Sequence, residues 1–157
     1  MAASKKIKKA TAPKVNIAII ASVFNEFISK ALLSACLIEL KRQGLTDAQI
    51  TTVWVPGAFE IPLAALKLAK KKNIDAVICL GAVIRGDTYH FEVVANETSR
   101  GMMQVSLQTQ KPIIMGVLTT DTIDQAQKRA QGKGGLNKGR DCAIAALETI
   151  QLLKRIR

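Results

Sequence analysis

Four apolar runs punctuate this chain, and the stretches between them repeat their apolar positions at helical spacing. Residues 15–21 are apolar almost throughout, which predicts a strand covered on both faces. A helix is expected over about residues 27–43, where Ile28, Leu32, Ala35 and Cys36 share a face and Gly44 provides the stop. Residues 50–55 predict a second strand, closed by Pro56-Gly57. Pro62 falls in the first turn of the next helix, where a missing N–H costs nothing. That helix runs to Lys70-Lys71-Lys72, whose charge suits a carboxyl end. Residues 75–80 predict a third strand. A third helix starts near Phe91 and carries Val94, Thr98, Gly101, Met102 and Val105 on one stripe. Residues 112–118 predict the fourth strand. An acidic helix start follows at 121–124, and a glycine-rich break over 132–139 leads to a final helix. The apolar face of that helix is read as Cys142, Ala145, Ala146, Thr149, Ile150 and Leu153.

Strands alternating with helices, through connections long enough for right-handed crossovers, imply an α/β fold. The expectation is a four-stranded parallel sheet with helices on both faces, a three-layer sandwich. The chain of 157 residues is enough for one domain with a real core. Only six residues are aromatic, so that core must be mainly aliphatic. Cys36, Cys79 and Cys142 are odd in number and widely spaced, which predicts buried free thiols in a reducing compartment rather than disulfides or a metal site. No apolar stretch approaches the roughly 20 residues of a membrane span, and no secretory leader pattern opens the chain. A cytoplasmic protein is therefore expected. Of the net charge of +11, five units sit in residues 1–14, which hold five lysines and no acid. This segment reads as a flexible basic arm before a single domain over 15–157. Without aromatic or arginine partners it has no means of reading a nucleic-acid sequence, so solubility is its simplest role.

Candidate chemistry gathers where the topology predicts a crevice, at the carboxyl ends of the strands. The loops there are 22–25, 56–60, 81–90 and 119–121. Phe24-Asn25 and Phe59-Glu60 each set a ring beside a polar group, suited to stacking on a planar heterocycle and binding hydroxyls. The third loop brings glycine amides, Arg85, Asp87, Thr88 and the sole histidine, His90. An arginine suits anionic oxygens, and an imidazole moves protons near neutral pH. Arg85 and Glu60 also have plainer readings, as an ion-pair partner and as a helix N-terminal charge. The segment Gly132–Gly139 matches neither a P-loop nor a dinucleotide fingerprint. It leaves Arg129, Lys133 and Lys138 as cations for an anionic metabolite.

Read together, these segments resemble the lumazine synthase family of riboflavin biosynthesis, over about residues 15–153. The residues carrying the likeness are Phe24-Asn25, Pro56-Gly57-Ala58-Phe59-Glu60-Ile61-Pro62, Gly81-Ala82-Val83-Ile84-Arg85-Gly86, His90, Gly116-Val117-Leu118-Thr119-Thr120, Gln125-Ala126, Arg129-Ala130 and Asn137-Lys138-Gly139. The resemblance implies a flavodoxin-like sandwich assembled as pentamers, in many members as twelve pentamers in a shell of sixty chains. It leaves room for riboflavin synthase as a partner. It implies condensation of 5-amino-6-(D-ribitylamino)uracil with 3,4-dihydroxy-2-butanone 4-phosphate, with loss of phosphate and water and with no cofactor or metal.

Carried over by position, the likeness makes His90 the proton shuttle and puts Phe24 on the pyrimidine. Asn25 and Met115 join the substrate-binding set. Ala58, Phe59, Val83 and Ile84 would bind ring and ribityl chain, and Glu60 the ribityl hydroxyls. Asp87 and Thr88 would hold the phosphate with Arg129 of an adjacent subunit, and Lys138 would lie near the pyrimidine. Val23, Ala82 and Met115 depart from the common pattern, as does one extra residue before Asn137. The alternative on the same scaffold is an oligomeric binder of a flavin-like ligand or nucleic acid, against which the intact set Phe24, Glu60, His90 and Arg129 speaks.

Overall fold

The computed structural model describes residues 13–132 and 136–156. The basic arm up to residue 12, and Lys133, lie outside the described residues. Strands β1 (Ile17–Ser22), β2 (Ile50–Val55), β3 (Ala76–Ile84) and β4 (Ile113–Thr120) form one sheet in the order β2-β1-β3-β4, with every pairing parallel. Helices α1 (Glu26–Arg42), α2 (Ile61–Ala69), α3 (His90–Thr109), α4 (Ile123–Ala130) and α5 (Lys138–Arg155) cover it. The expected three-layer α/β sandwich is present.

Strand alternation explains the two cores. Ile17, Ile19, Ile78 and Leu80 face α1 and α5, meeting Ile28, Leu32, Cys36, Cys142, Ala146 and Ile150. Ala18, Ile20, Val77 and Cys79 point the other way, against Ile61 and Ala65 of α2 and Met102 and Val105 of α3. Each fully buried Ile or Leu here contributes about 1.5–3 kcal/mol of transfer free energy. The three cysteines are buried and free, as their spacing predicts. Burial pushes the Cys36 thiol up to about 12 and the Cys142 thiol up to about 11, and raises Cys79 as well. Among the described residues, no helix is long and apolar enough to cross a membrane.

Helices α1 and α5 pack closely because Gly139 carries no side chain. A Cβ there would lie 2.1 Å from the Leu32 carbonyl oxygen. The same seam holds a buried carboxylate. Glu39, only 3% exposed, accepts hydrogen bonds from Arg42 at 2.8 and 2.9 Å and from Gln43 at 2.7 Å. Arg140 of α5 stands 3.4 Å away. Hydrogen bonds from Arg42 first, then from Gln43, hold the Glu39 carboxyl down at about 2.

Several details differ from the sequence expectation; β4, for one, runs to Thr120 and takes in two residues expected in the loop that follows it. The third strand does not end at Leu80. Residues Gly81–Ile84 continue it, paired with Val117–Thr120 of β4. The glycine there signals close packing instead of a turn, since a Cβ on Gly81 would lie 2.5 Å from the Ser22 hydroxyl. The first strand's ladder starts at Ile17, because the Asn16 N–H donates to the Asp75 carboxylate at 2.7 Å. On α5 the buried face is Gly139, Cys142, Ala143, Ala146, Leu147 and Ile150, while Ala145, Thr149 and Leu153 are only partly buried. Small residues at 139, 143 and 146 let α1 approach on that side.

Candidate active site

The ladder between β1 and β3 ends at Ala21–Leu80, yet β3 runs on to Ile84, held by β4 alone. The last residues of β3 therefore keep one edge without a strand partner. A cleft of about 650 Å³ opens there. Its floor is Ala82, Val83 and Ile84; its walls are Phe24, the 56–60 turn, and Gly86, Thr88, His90, Phe91, Val93 and Val94.

Local hydrogen bonds bring the walls together. The Val23 N–H donates to the Val55 carbonyl at 2.8 Å and the Phe24 N–H to the Pro56 carbonyl at 3.0 Å. These bonds extend the β1–β2 pairing and set Phe24 beside the second loop. Residues Ala58–Glu60 form a single 3-10 turn before α2, with the Glu60 N–H bonded to the Gly57 carbonyl at 3.3 Å. Ala58 is buried, which leaves Phe59 and Glu60 facing outward. Phe24 is 72% exposed and Phe59 55% exposed, so both rings stand clear of the core. His90 begins α3, a 20-residue helix whose first N–H groups point toward the cleft end of the sheet. Its own N–H meets the Thr88 hydroxyl at 3.4 Å, a long contact.

Of the residues singled out from the sequence, Phe24, Ala58, Phe59, Glu60, Val83, Ile84, Thr88 and His90 line this cleft. Asn25, Asp87, Met115, Arg129 and Lys138 do not. Asn25 takes a left-handed φ of 60° at the start of α1, and its amide donates to the Ala82 carbonyl at 2.9 Å, so it is tied to the fold. Asp87 is exposed in the segment between Gly86 and Thr88. Met115 is 44% exposed on the sheet's outer strand, five register positions below Thr120. Arg129 donates to the Gln125 carbonyl at 2.9 Å within α4, and Lys138 pairs with Asp141 at 3.0 Å on α5. These last three sit on elements that add nothing to the cleft wall of their own chain.

The structure adds Phe91, Val93 and Val94 to the cleft lining. The i, i+3, i+4 spacing from His90 puts Val93 and Val94 on its helix face, whereas Phe91, the next residue, has no such signal. Val94 shares the buried stripe but also closes the cleft. Arg85 is an ion-pair partner of Glu92 and Asp121, its plainer reading, and its side chain does not enter the cleft. Among the described residues, no group of three His, Cys, Asp or Glu side chains could hold a metal ion.

A second cleft of similar size, about 670 Å³, lies at the opposite edge between the carboxyl ends of α3 and α5. Several of its polar groups are spent internally. Lys111 donates to the Lys71 carbonyl, Ser106 to the Lys111 carbonyl and Thr149 to the Ala145 carbonyl.

The cleft at the carboxyl edge thus offers two exposed rings, a carboxylate, a hydroxyl, a helix N-terminus and an imidazole, over a stretch of β3 that has a strand partner on one edge only. That set can stack a planar ring, bind hydroxyls and an anion, and relay a proton. Comparison with known families is specific: a family model described as 6,7-dimethyl-8-ribityllumazine synthase matches residues 14–154.

Proposed function

Because this chain belongs to the 6,7-dimethyl-8-ribityllumazine synthase family, we propose that its cleft is one half of a condensation site completed by a neighbouring copy. The protein is a transferase of riboflavin biosynthesis. The family implies small-molecule substrates and oligomeric assembly. The reading supported best at residue level begins with the pyrimidine of 5-amino-6-(D-ribitylamino)uracil stacked on Phe24. Phe59 and the Val83–Ile84 backbone flank it, and Glu60 takes the ribityl hydroxyls. The phosphate of 3,4-dihydroxy-2-butanone 4-phosphate rests on Thr88, next to Asp87, at the amino end of α3, where helix N–H groups favour an anion.

Chemistry then follows from position. The pyrimidine's amine attacks the ketone carbon, and water leaves to give an imine. A proton then leaves the carbon next to the imine as phosphate leaves the carbon beyond it; the enol so formed tautomerises to a ketone, which the ribitylamino nitrogen attacks, and loss of a second water completes the ring. Each step moves protons on and off nitrogen or oxygen, and His90 at the cleft wall is the group suited to carry them. The departing anion is stabilised by N–H donors and by Arg129, which comes from the neighbouring copy in this reading. Lys138 and Met115 approach the pyrimidine from that same neighbour. Holding two reactive molecules together supplies much of the acceleration.

The observation that carries the reading is the convergence of Phe24, Glu60, Thr88 and His90 on one cleft, while Arg129 and Lys138 lie outside the lining of that cleft in the same chain. A ring of five copies would bring the two sides together, and exposed apolar side chains such as Phe27, Leu63 and Leu107 are available for such contacts. The test is to mix the protein with both substrates and follow the lumazine chromophore, with particle mass measured in parallel. Turnover by a pentamer or a multiple of it is expected; a folded, inactive monomer would overturn the proposal.

A further inference from the structure

Arg85 adds a positioning device to this site. The residue closes β3 by donating its backbone N–H to the Thr120 carbonyl at 2.9 Å. Its guanidinium donates from Nε to Asp121 at 2.8 Å, donates from Nη1 to Glu92, and lies 4.3 Å over the centre of the Phe91 ring. One side chain thereby joins three places: the end of β3, the turn after β4 and the first turn of α3.

Residues 86–90 lie between these anchors, and Gly86, Thr88 and His90 of this segment line the cleft. Little else holds the segment. A Cβ on Gly86 would meet nothing within 4 Å, and residues 85–90 are all exposed. Among the described residues, the side-chain hydrogen bond within the segment is the long one from the His90 N–H to Thr88. Glu92 gives the same message from the other end. Its Oε2 is buried with no hydrogen-bond partner among the described residues, so the carboxylate is tolerated where it is through its Arg85 contact.

We propose that Arg85 is a positioning residue for the condensation: by clamping Glu92, Phe91 and Asp121 it fixes the 86–90 segment and with it the His90 imidazole. The inference rests on the reading of the cleft given above. A planar, forked cation is required, since it must stack on a ring while bonding two carboxylates in different directions. Lysine, a point charge, can keep the charge but not the geometry.

The variants Arg85→Ala and Arg85→Lys test it, each compared with the unaltered protein. Both should retain binding of the ribitylaminopyrimidine and lose kcat by about ten- to a hundredfold, the scale of a misplaced catalytic group. Millimolar guanidinium chloride should restore part of the kcat of Arg85→Ala, and ammonium chloride should not. Amide exchange of residues 86–90, measured without substrates, should be faster in both variants. That readout does not depend on turnover, so an inactive unaltered protein would remove the functional reading while exchange still decides on the clamp. Should Arg85→Ala fail to fold, Arg85→Lys carries the test. Unaltered kcat in Arg85→Lys, or unaltered exchange over 86–90 in either variant, overturns the proposal.

Discussion

Asn25 donates its side-chain amide to the Ala82 carbonyl at 2.9 Å, across 57 residues of sequence. The bond bridges the point where β1 stops and β3 continues, and it fixes the Phe24 loop over the cleft floor. The strand edge left open by the shorter β1 is thus partly capped by a side chain. Asn is suited to the position twice over, because it tolerates the left-handed backbone and supplies the amide.

Asn25→Gly keeps the backbone conformation and removes the bond. It should cost about 1 kcal/mol in a denaturant titration and raise the KM for the pyrimidine substrate. Asn25→Ala should cost about 1 kcal/mol more, from left-handed strain. Equal stabilities for the Ala and Gly variants would show that the strain is relieved elsewhere.

His90→Ala should lower kcat by about a hundred- to ten-thousandfold, the usual range for a lost proton-transfer group, with little change in substrate KM. Arg129→Ala should chiefly raise the KM for the phosphorylated substrate. Mixing the two impaired variants and reassembling them should restore a fraction of the activity measured at low phosphorylated substrate, because some seams would then pair an intact His90 with an intact Arg129. No recovery from correctly assembled mixtures would place both residues in the same chain's site.

Glu39 predicts a pH dependence of stability. Its folded-state pKa is lowered from the ordinary 4.5 to about 2. The contribution is present in full above the unfolded value and is lost as pH falls through about 2. Glu39→Gln should therefore lower the thermal midpoint at pH 7, and the gap to the unaltered protein should narrow below about pH 4.5. A gap that widened with acid would mean that Glu39 is held protonated.

Gly139→Ala should be strongly destabilising, because the added carbon meets Leu32 backbone and not a flexible side-chain tip. Overpacking of this kind costs about 1–3 kcal/mol. A thermal scan should show a lower midpoint, while Gly86→Ala, whose Cβ meets nothing, should leave it almost unchanged.

Much of this is legible in the amino-acid sequence. Alternating apolar runs of strand length and helical-period segments specify local backbone and burial, and those two quantities are enough for a parallel α/β sandwich with both sheet faces covered. The carboxyl-edge loops were legible for the same reason, since topology alone puts them together. Contacts between distant residues were not. Gly81 reads as a turn signal until Ser22 is seen against it. Asn25 reads as a ligand group until its amide meets Ala82. Sequence spacing carries no information on which of two rings, carboxylates or carbonyls a guanidinium will choose, and packing made that choice for Arg85.

The sequence alone therefore determined the layers, the shared carboxyl edge of the strands, and the kinds of group available there, because period and composition act within a few residues. The tertiary structure decided which groups meet: it gathered Phe24, Glu60, Thr88 and His90 and kept Arg129, Lys138 and Met115 off their own chain's cleft. Close packing admits few solutions, and which side chains are brought within reach of one another depends on every element at once.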